Sequence, residues 1–433
     1  MRASAGGGPS SPLTTVRPGA PEQQLFPVFL PDGRHFLYIT QGLQIEQDRS
    51  AGFYDVYVGS LDAKPEDRKL KQVLTSDQGV QYVPSGERGG GRLLFVNDGT
   101  LFAQVFDTDR LELTGEPTPV AQDVGALYAN AYFSASANGV LAYRTNDSNH
   151  YQLTWLDRDG RVAARIGEPI FPRTLALSPD GARAAFESFA DGGLFVMDLA
   201  RGTATRLGFS FGAGVAWSPD RARIAFSKLN LYQMPASGAG VEELLMRSSE
   251  LKGPMDWSRD GRFLLYQRFS PTAGSGSDLF AMRLDGDKTA FPVAQTPFNE
   301  SNGRLSPDGR FIAYTSNKSG RDEVYVRPFA PPSAGAPRDA GEEWTISRGG
   351  PNTMFGWRAD GRELWYRTTD GKIMAVAVAE GPRFGNARLL FQMPAGTVVS
   401  ATNGERILAA VPTDASTRVP ITVMLNWPAL VQK

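Results

Sequence analysis

Cysteine is absent from the 433 residues, which removes disulfides, thiolate metal sites and a cysteine nucleophile without choosing a compartment. Histidine is almost absent, with His35 and His150 the only two. His35 follows a turn arginine and His150 lies in an Asn/Asp/Ser loop, so both read as surface or hydrogen-bonding residues rather than a metal or catalytic pair. Neither sign of charge dominates. The 45 Lys and Arg against 46 Asp and Glu leave a net of −1, and nothing electrostatic favours nucleic acid or an anionic membrane. No apolar run approaches the roughly 20 residues that span a bilayer. Ile373 to Ala379 is short, and Ile421 to Val431 is broken by Asn426 and Pro428. Residues 1–12, MRASAGGGPSSP, carry Arg2 with no apolar stretch behind it and read as a flexible segment, not a signal peptide.

Turn formers are plentiful: 47 Gly and 30 Pro. They recur in one phrase, a large apolar residue followed by Ser-Pro-Asp-Gly-Arg or a relative. It stands at Phe29-Leu-Pro-Asp-Gly33, Leu177-Ser-Pro-Asp-Gly181, Trp217-Ser-Pro-Asp-Arg221, Trp257-Ser-Arg-Asp-Gly261, Leu305-Ser-Pro-Asp-Gly309 and Trp357-Arg-Ala-Asp-Gly361. Weaker copies are Ser136-Ala-Asn-Gly139 and Ala401-Thr-Asn-Gly404, and a blurred one lies around Pro84 to Gly91. From position 139 the turns fall at 139, 181, 221, 261, 309, 361 and 404, so a unit of 40 to 52 residues repeats about nine times. Proline presets φ for the turn, aspartate folds its carboxylate onto nearby N–H groups, and glycine accepts the left-handed conformation that finishes a hairpin.

Short apolar and aromatic runs follow the turns, among them Phe36-Leu-Tyr-Ile, Ile224-Ala-Phe-Ser, Phe263-Leu-Leu-Tyr and Phe311-Ile-Ala-Tyr, the composition of strands buried on both faces. A third strand (Asp55-Val-Tyr-Val, Leu194-Phe-Val-Met, Asp278-Leu-Phe-Ala, Glu323-Val-Tyr-Val) and a weaker fourth complete each unit. Four antiparallel strands per repeat describe a propeller blade, and the expected fold is an all-β, closed propeller of eight to nine blades over residues 13–433. The last unit offers strands at Val398 to Ser400, Ile407 to Val411 and Ile421 to Trp427, and the N-terminal Leu13-Thr-Thr-Val16 is expected to supply its missing outer strand. Eight blades plus a hairpin, or two smaller rings, fit the same spacing. Trp217, Trp257 and Trp357 share one repeat position and read as core between blades rather than an aromatic ligand cage. Each such ring buries ~150–250 Å², worth roughly 4–6 kcal/mol before entropy.

These phrases resemble the TolB-like propeller repeats of bacteria. Longer stretches narrow the likeness: Leu111-Glu-Leu-Thr-Gly-Glu-Pro117, Gly139-Val-Leu-Ala-Tyr143, Gln152-Leu-Thr-Trp-Leu-Asp157, Asp256-Trp-Ser-Arg-Asp-Gly261, Asn299-Glu-Ser301 and Ile421-Thr-Val-Met-Leu-Asn-Trp427. They are similar to the propeller region that follows the kinase domain in membrane-anchored bacterial serine/threonine kinases, especially of acidobacteria. The resemblance implies a sensor or docking region outside the membrane, with a protein or peptide partner and a serine/threonine kinase nearby.

Catalytic patterns are missing. No glycine-rich phosphate loop, HRD-like loop or DFG occurs; Gly89-Gly-Gly91 lies between strands. No Gly-x-Ser-x-Gly elbow exists, and Gly274-Ser-Gly-Ser-Asp278 is a polar loop. Asp157-Arg-Asp159 and Asp285-Gly-Asp287 lack calcium-loop spacing and read as solvated turns. The repeated Asp180, Asp220, Asp260, Asp308 and Asp360 read as turn caps rather than a ring of metal ligands. Asn146-Asp-Ser148, Asn299-Glu-Ser301 and Asn317-Lys-Ser319 match the glycosylation pattern by coincidence, and Ala330 to Gly341 is an inserted loop at one rim. The expectation is a binding module with no cofactor, metal or catalytic residue. A propeller hydrolase or lyase, or a structural subunit of an envelope assembly like TolB, are the alternatives.

Overall fold

Each Ser-Pro-Asp turn closes a hairpin by a fixed set of bonds. At the second copy the Gly181 N–H donates to Ser178 O at 2.8 Å, the Ser178 hydroxyl donates to Asp180 Oδ1 at 2.6 Å, and the Arg183 N–H donates to Ser178 Oγ at 2.9 Å. Ser218, Ser258 and Ser306 make the same hydroxyl-to-aspartate bond at 2.6 Å. Glycine takes a positive φ at the turn's end, +69° at Gly181 and +70° at Gly309, and Arg221 adopts φ 65° in the same place. The aspartates are turn caps, as the repeat predicts.

The computed structural model describes residues 6–7, 13–14, 22–42, 54–62, 71–85, 90–127, 130–145, 151–189, 192–210, 213–228, 230–248, 250–269, 276–332, 342–347, 355–379, 383–402, 404–413 and 420–431. Among them the fold is all-β and antiparallel, apart from a 3-10 turn at Trp427–Val431. The chain divides into two compact units, 1–148 with 416–433, and 149–415.

In the first unit, sheet A holds Glu22–Phe29, His35–Gly42, Tyr54–Ser60 and Lys71–Ser76. Sheet B holds Gln81–Pro84, Gly90–Asn97, Thr100–Asp107 and Glu112–Ala121. Sheet C has three strands, Phe133–Ala135, Val140–Tyr143 and Thr422–Leu425, with a two-stranded ribbon, Ala126–Leu127 and Asn130–Ala131, alongside in sequence. Leu37, Ile39 and Val56 meet Tyr82, Leu93 and Phe106 between sheets A and B. Leu94, Val96 and Leu101 meet Leu141 and Trp427 between sheets B and C.

The second unit has six sheets. Sheet D orders Ser400–Thr402, Ile407–Pro412, Tyr151–Leu156 and Val162–Ile170, so the two ends of the unit share one sheet. Sheet E is Pro172–Leu177, Arg183–Ser188, Gly193–Asp198 and Thr203–Phe209; sheet F is Val215–Trp217, Arg223–Lys228, Asn230–Pro235 and Glu243–Met246. Sheet G is Lys252–Trp257, Phe263–Phe269, Ser277–Arg283 and Ala290–Ala294; sheet H is Glu300–Leu305, Phe311–Ser316, Glu323–Pro328 and Trp344–Thr345. Sheet I is Phe355–Trp357, Glu363–Arg367, Lys372–Ala379 and Arg388–Gln392, with Arg383–Phe384 added beside the third strand.

Alternation explains the continuous apolar runs. Leu264 and Tyr266 face a core shared with sheet F, whereas Phe263 and Leu265 face one shared with sheet H. Cores of this kind join D to E, E to F, F to G, G to H and H to I. A sixth, built on Leu156, Trp365, Ile373 and Ile407, joins I back to D. Each sheet therefore buries both faces, and the series of cores returns to its start.

The expected last unit is distributed differently. Ile407–Pro412 pairs with Tyr151–Leu156, while Thr422–Leu425 pairs with Val140–Tyr143. Tyr151–Leu156 offers an apolar edge of matching length, so the sheet expected to end on the N-terminal segment is finished by the 151–170 hairpin instead. Leu13 and Thr14 belong to no strand, and Thr15 and Val16 lie outside the described residues.

Candidate functional site

In sheets E to H, the Ser-Pro-Asp or Ser-Arg-Asp turn marks one edge. The opposite edge is where the first strand begins, the second ends and the third begins. Residues there are polar yet buried: Glu187, Lys252, Asp278, Glu300 and Glu323. Among the described residues of this unit, Glu363 is a further buried charged side chain, away from that edge.

Register makes the pattern. In sheet G, Lys252 stands opposite Arg268 and Arg268 opposite Asp278, which sets three charges in a row across three strands. Arg268 Nη2 lies 2.6 Å from Asp278 Oδ2, and its Nε lies 3.6 Å from Glu250 Oε2. Lys252, only 8% exposed, donates to the Ser248 hydroxyl. Burial pushes the Lys252 ammonium down in pKa, Glu250 opposes that, and Arg268 adds to it. In sheet H the same row reads Glu300, Ser316, Glu323. Glu300 Oε1 accepts from Thr296 Oγ1 at 2.6 Å and Ser316 Oγ at 3.1 Å, yet burial still raises its pKa. Glu323 accepts from the Ser347 hydroxyl and, at 2.7 Å, from Arg321 Nε.

Some of these groups fasten neighbouring sheets. The Ser277 hydroxyl, approached by Gln267 Nε2 at 2.8 Å, reaches Asn299 Oδ1 at 2.5 Å and Glu300 O at 2.8 Å, tying G to H. Ser210 bonds both Glu187 and, at 2.9 Å, Ser227 O, tying E to F. Others keep spare capacity. Asp278 Oδ1, Arg268 Nε and Ser227 Oγ are buried without a hydrogen-bond partner in the chain. An unpaired buried carboxylate oxygen costs stability unless a ligand or solvent meets it.

Further along the first strands, Asp256 Oδ2 accepts the Leu305 N–H at 2.8 Å across the G–H boundary, and Arg304 donates to Met255 O in return. Burial pushes the Asp256 carboxyl up and the Arg304 guanidinium down.

The residues singled out from the sequence fall elsewhere. Trp217 packs in the E–F core with Nε1 donating to Ala176 O at 3.1 Å, and Trp357 in the H–I core with Nε1 donating to Arg304 O at 3.3 Å. Trp257 bonds its own turn at Gly261 O, 3.2 Å away. All three serve packing, and they form no cage. His35 Nδ1 sits 2.5 Å from Asp32 Oδ2, whereas His150 lies outside the described residues. Asp157 accepts the Asp159 and Arg161 N–H groups at 2.9 Å, Asp285 pairs with Arg262 at 3.3 Å, and Asp287 accepts the Thr289 N–H at 3.2 Å. No group of three His, Cys, Asp or Glu able to hold a metal occurs among the described residues. Of the other segments named from sequence, residues 86–89, 146–148, 274–275 and 333–341 lie outside the described residues.

The buried row was not singled out from sequence. On the second strands its signal was a polar residue directly after an apolar run, as in Ala184-Ala-Phe-Glu187 and Leu264-Leu-Tyr-Gln267.

No protein-family model matches the chain, and no curated protein sequence matches it. Solved structures do. A putative TolB from Agrobacterium tumefaciens is similar at 19% identity and TM-score 0.47, covering 61% of this chain and 98% of that one. TolB from Acinetobacter baumannii matches at 16% identity and TM-score 0.39, covering 80% of this chain and 81% of that one. The β-propeller domain of Cps50 (Swd1) from Myceliophteria thermophila matches at 12% identity and TM-score 0.38, covering 77% and 96%.

Proposed function

We propose that this chain is a non-catalytic β-propeller binding module, whose second unit is a closed ring of six blades and whose polar edge holds an extended protein or peptide segment. The return of the six cores to sheet D supports the ring. The observation that carries the binding reading is the row Lys252, Arg268, Asp278, with a buried Asp278 oxygen that accepts no hydrogen bond from the chain. A buried acceptor in a row of charges suits a ligand that brings N–H donors, as a peptide backbone or amino terminus does. The resemblance to kinase-associated propellers supports a role as the sensor or docking region of a serine/threonine kinase system.

Fluorescence anisotropy with short acidic and basic synthetic peptides tests this. Saturable binding is expected, weakened at least about tenfold by Asp278→Asn and by Arg268→Lys in protein whose melting curve shows it folded. Absence of saturable binding to every peptide overturns the site, and turnover of ester, lactone or phosphate substrates by the pure chain overturns the non-catalytic half. A kinase reading frame joined or adjacent to this one in the genome is the expected context, and its absence removes the kinase role.

A further inference from the structure

Beyond their apolar cores, neighbouring sheets of the second unit meet through a polar layer set by alternation along the second strands. Glu187 lies two residues past Ala185, Ser227 two past Ala225 and Gln267 two past Leu265. Those three apolar residues face the E–F, F–G and G–H cores, so the polar ones face the same boundaries. Two of these layers are filled by the chain. Glu187 accepts from the Thr174 hydroxyl at 2.7 Å and from the Ser210 hydroxyl, and Gln267 Nε2 donates to Ser277 Oγ at 2.8 Å. At F–G the equivalent residue is Ser227, whose hydroxyl is fully buried and meets no hydrogen-bond partner.

Sheet G faces this layer with charge. Tyr266 lies in the F–G core, so Arg268, two residues on, faces the same way, and register puts Lys252 and Asp278 on either side of it. Asp278 gives one oxygen to Arg268, and the other, buried, accepts no bond. Lys252 is 8% exposed, and among the described residues its ammonium bonds to the Ser248 hydroxyl and pairs with no carboxylate. An ammonium buried in that way destabilises the fold unless an anion meets it. The row reaches solvent at Arg268 and Glu250, whose side chains are 26% and 33% exposed.

We infer that this layer receives the carboxyl terminus of the segment held at the polar edge, which rests on the binding proposed above. Three unmet groups set the requirement: the Lys252 ammonium needs an anion, the Ser227 hydroxyl an acceptor, and the Asp278 oxygen a donor. The last residue of a chain presents these together, as a carboxylate and the N–H on the adjacent carbon. An amino terminus would bring a further ammonium to Lys252, and the backbone of an internal stretch brings no anion. The ligand carboxylate takes the place that the Glu187 carboxylate holds one boundary earlier.

Fluorescence anisotropy on the full chain reads this, with each peptide that binds made as the free acid and as the carboxamide and labelled at its amino end. The acid is expected to bind at least about tenfold tighter than the amide. Lys252→Met keeps the aliphatic stem and removes the buried charge, so it is expected to fold, by melting curve, and to bind acid and amide alike. Ser227→Ala removes an unpaired buried hydroxyl and is expected to narrow the same preference. A purely structural role would weaken both forms equally. Equal binding of acid and amide by wild type overturns the inference and leaves the binding module standing, whereas no saturable binding of either form overturns both. A preference for the acid that survives unchanged in both variants overturns the place assigned to the carboxylate.

Discussion

Arg221 occupies a position that its counterparts fill with glycine. Its φ of 65° matches the +69° of Gly181 and +70° of Gly309, a region that costs a side-chain-bearing residue roughly 1–2 kcal/mol. The guanidinium offsets part of this through Asp180, 2.8 Å away, but that pair is half exposed and worth about 0–1 kcal/mol. Arg221→Gly is therefore expected to raise stability by about 0.5–1 kcal/mol in urea melts. Gly309→Ala is the reciprocal case. A Cβ there meets nothing within 4 Å, so its cost is conformational alone, about 1 kcal/mol. Trp217, 6% exposed between sheets E and F, is a different kind of residue. Trp217→Ala leaves a cavity and is expected to cost about 3–5 kcal/mol by the same measurement.

At the scale of elements, the joint between sheets I and D depends on Glu363. Its carboxylate meets Arg158 Nη1 at 2.8 Å, Arg388 Nη2 at 2.7 Å and Trp365 Nε1 at 2.7 Å, while Arg158 lies over the Trp365 ring. Burial would raise the Glu363 pKa, but the bonds from Arg158, Trp365 and Arg388 outweigh it and hold the group at about 2, against an ordinary 4.5. A carboxyl lowered on folding stabilises the fold above its unfolded pKa and stops doing so as pH falls through the folded one. Stability from this group is thus full above about pH 4.5 and lost toward pH 2. Glu363→Gln is expected to lower the melting temperature at neutral pH, with a cost of about 2 kcal/mol or more that shrinks across that window. A penalty independent of pH would show that Glu363 acts through packing. Elements also mark what the sequence disclosed. The turns were legible because Pro, Asp and Gly each perform a distinct local task, and second strands because Phe263-Leu-Leu-Tyr and its kin alternate between two cores. The partner of Tyr151–Leu156 was not legible: pairing to Ile407–Pro412 is decided by which edge is free in three dimensions, and many apolar strands fit either. The polar edge escaped for a related reason. Glu187, Ser227 and Gln267 hold comparable places with no shared residue type, so only register gathers them.

At the scale of the whole second unit, the position of sheet D between two cores has an energetic consequence. Sheets E and I each bury their second face only because sheet D stands between them. Sheet D is made from both ends of the unit, with Tyr151–Leu156 paired to Ile407–Pro412 and Leu153, Leu156, Ile407, Leu408, Ala409 and Ala410 all fully buried. A fragment of residues 149–415 contains every strand of the six sheets and is expected to fold alone, with a β-type circular dichroism spectrum and one sharp melt. Residues 171–415 lack the Tyr151–Ile170 hairpin. The I-to-D and D-to-E cores would then lose Leu153, Trp155 and Leu156, and Ile407–Pro412 would become an uncharged edge strand. Apolar faces exposed in this way drive association rather than folding. The shorter fragment is expected to aggregate, or to melt broadly at lower temperature with strong dye binding. Were it to melt as sharply as 149–415, the ends would not be what holds the circuit together, and the stability of the unit would lie in each pair of neighbouring sheets alone.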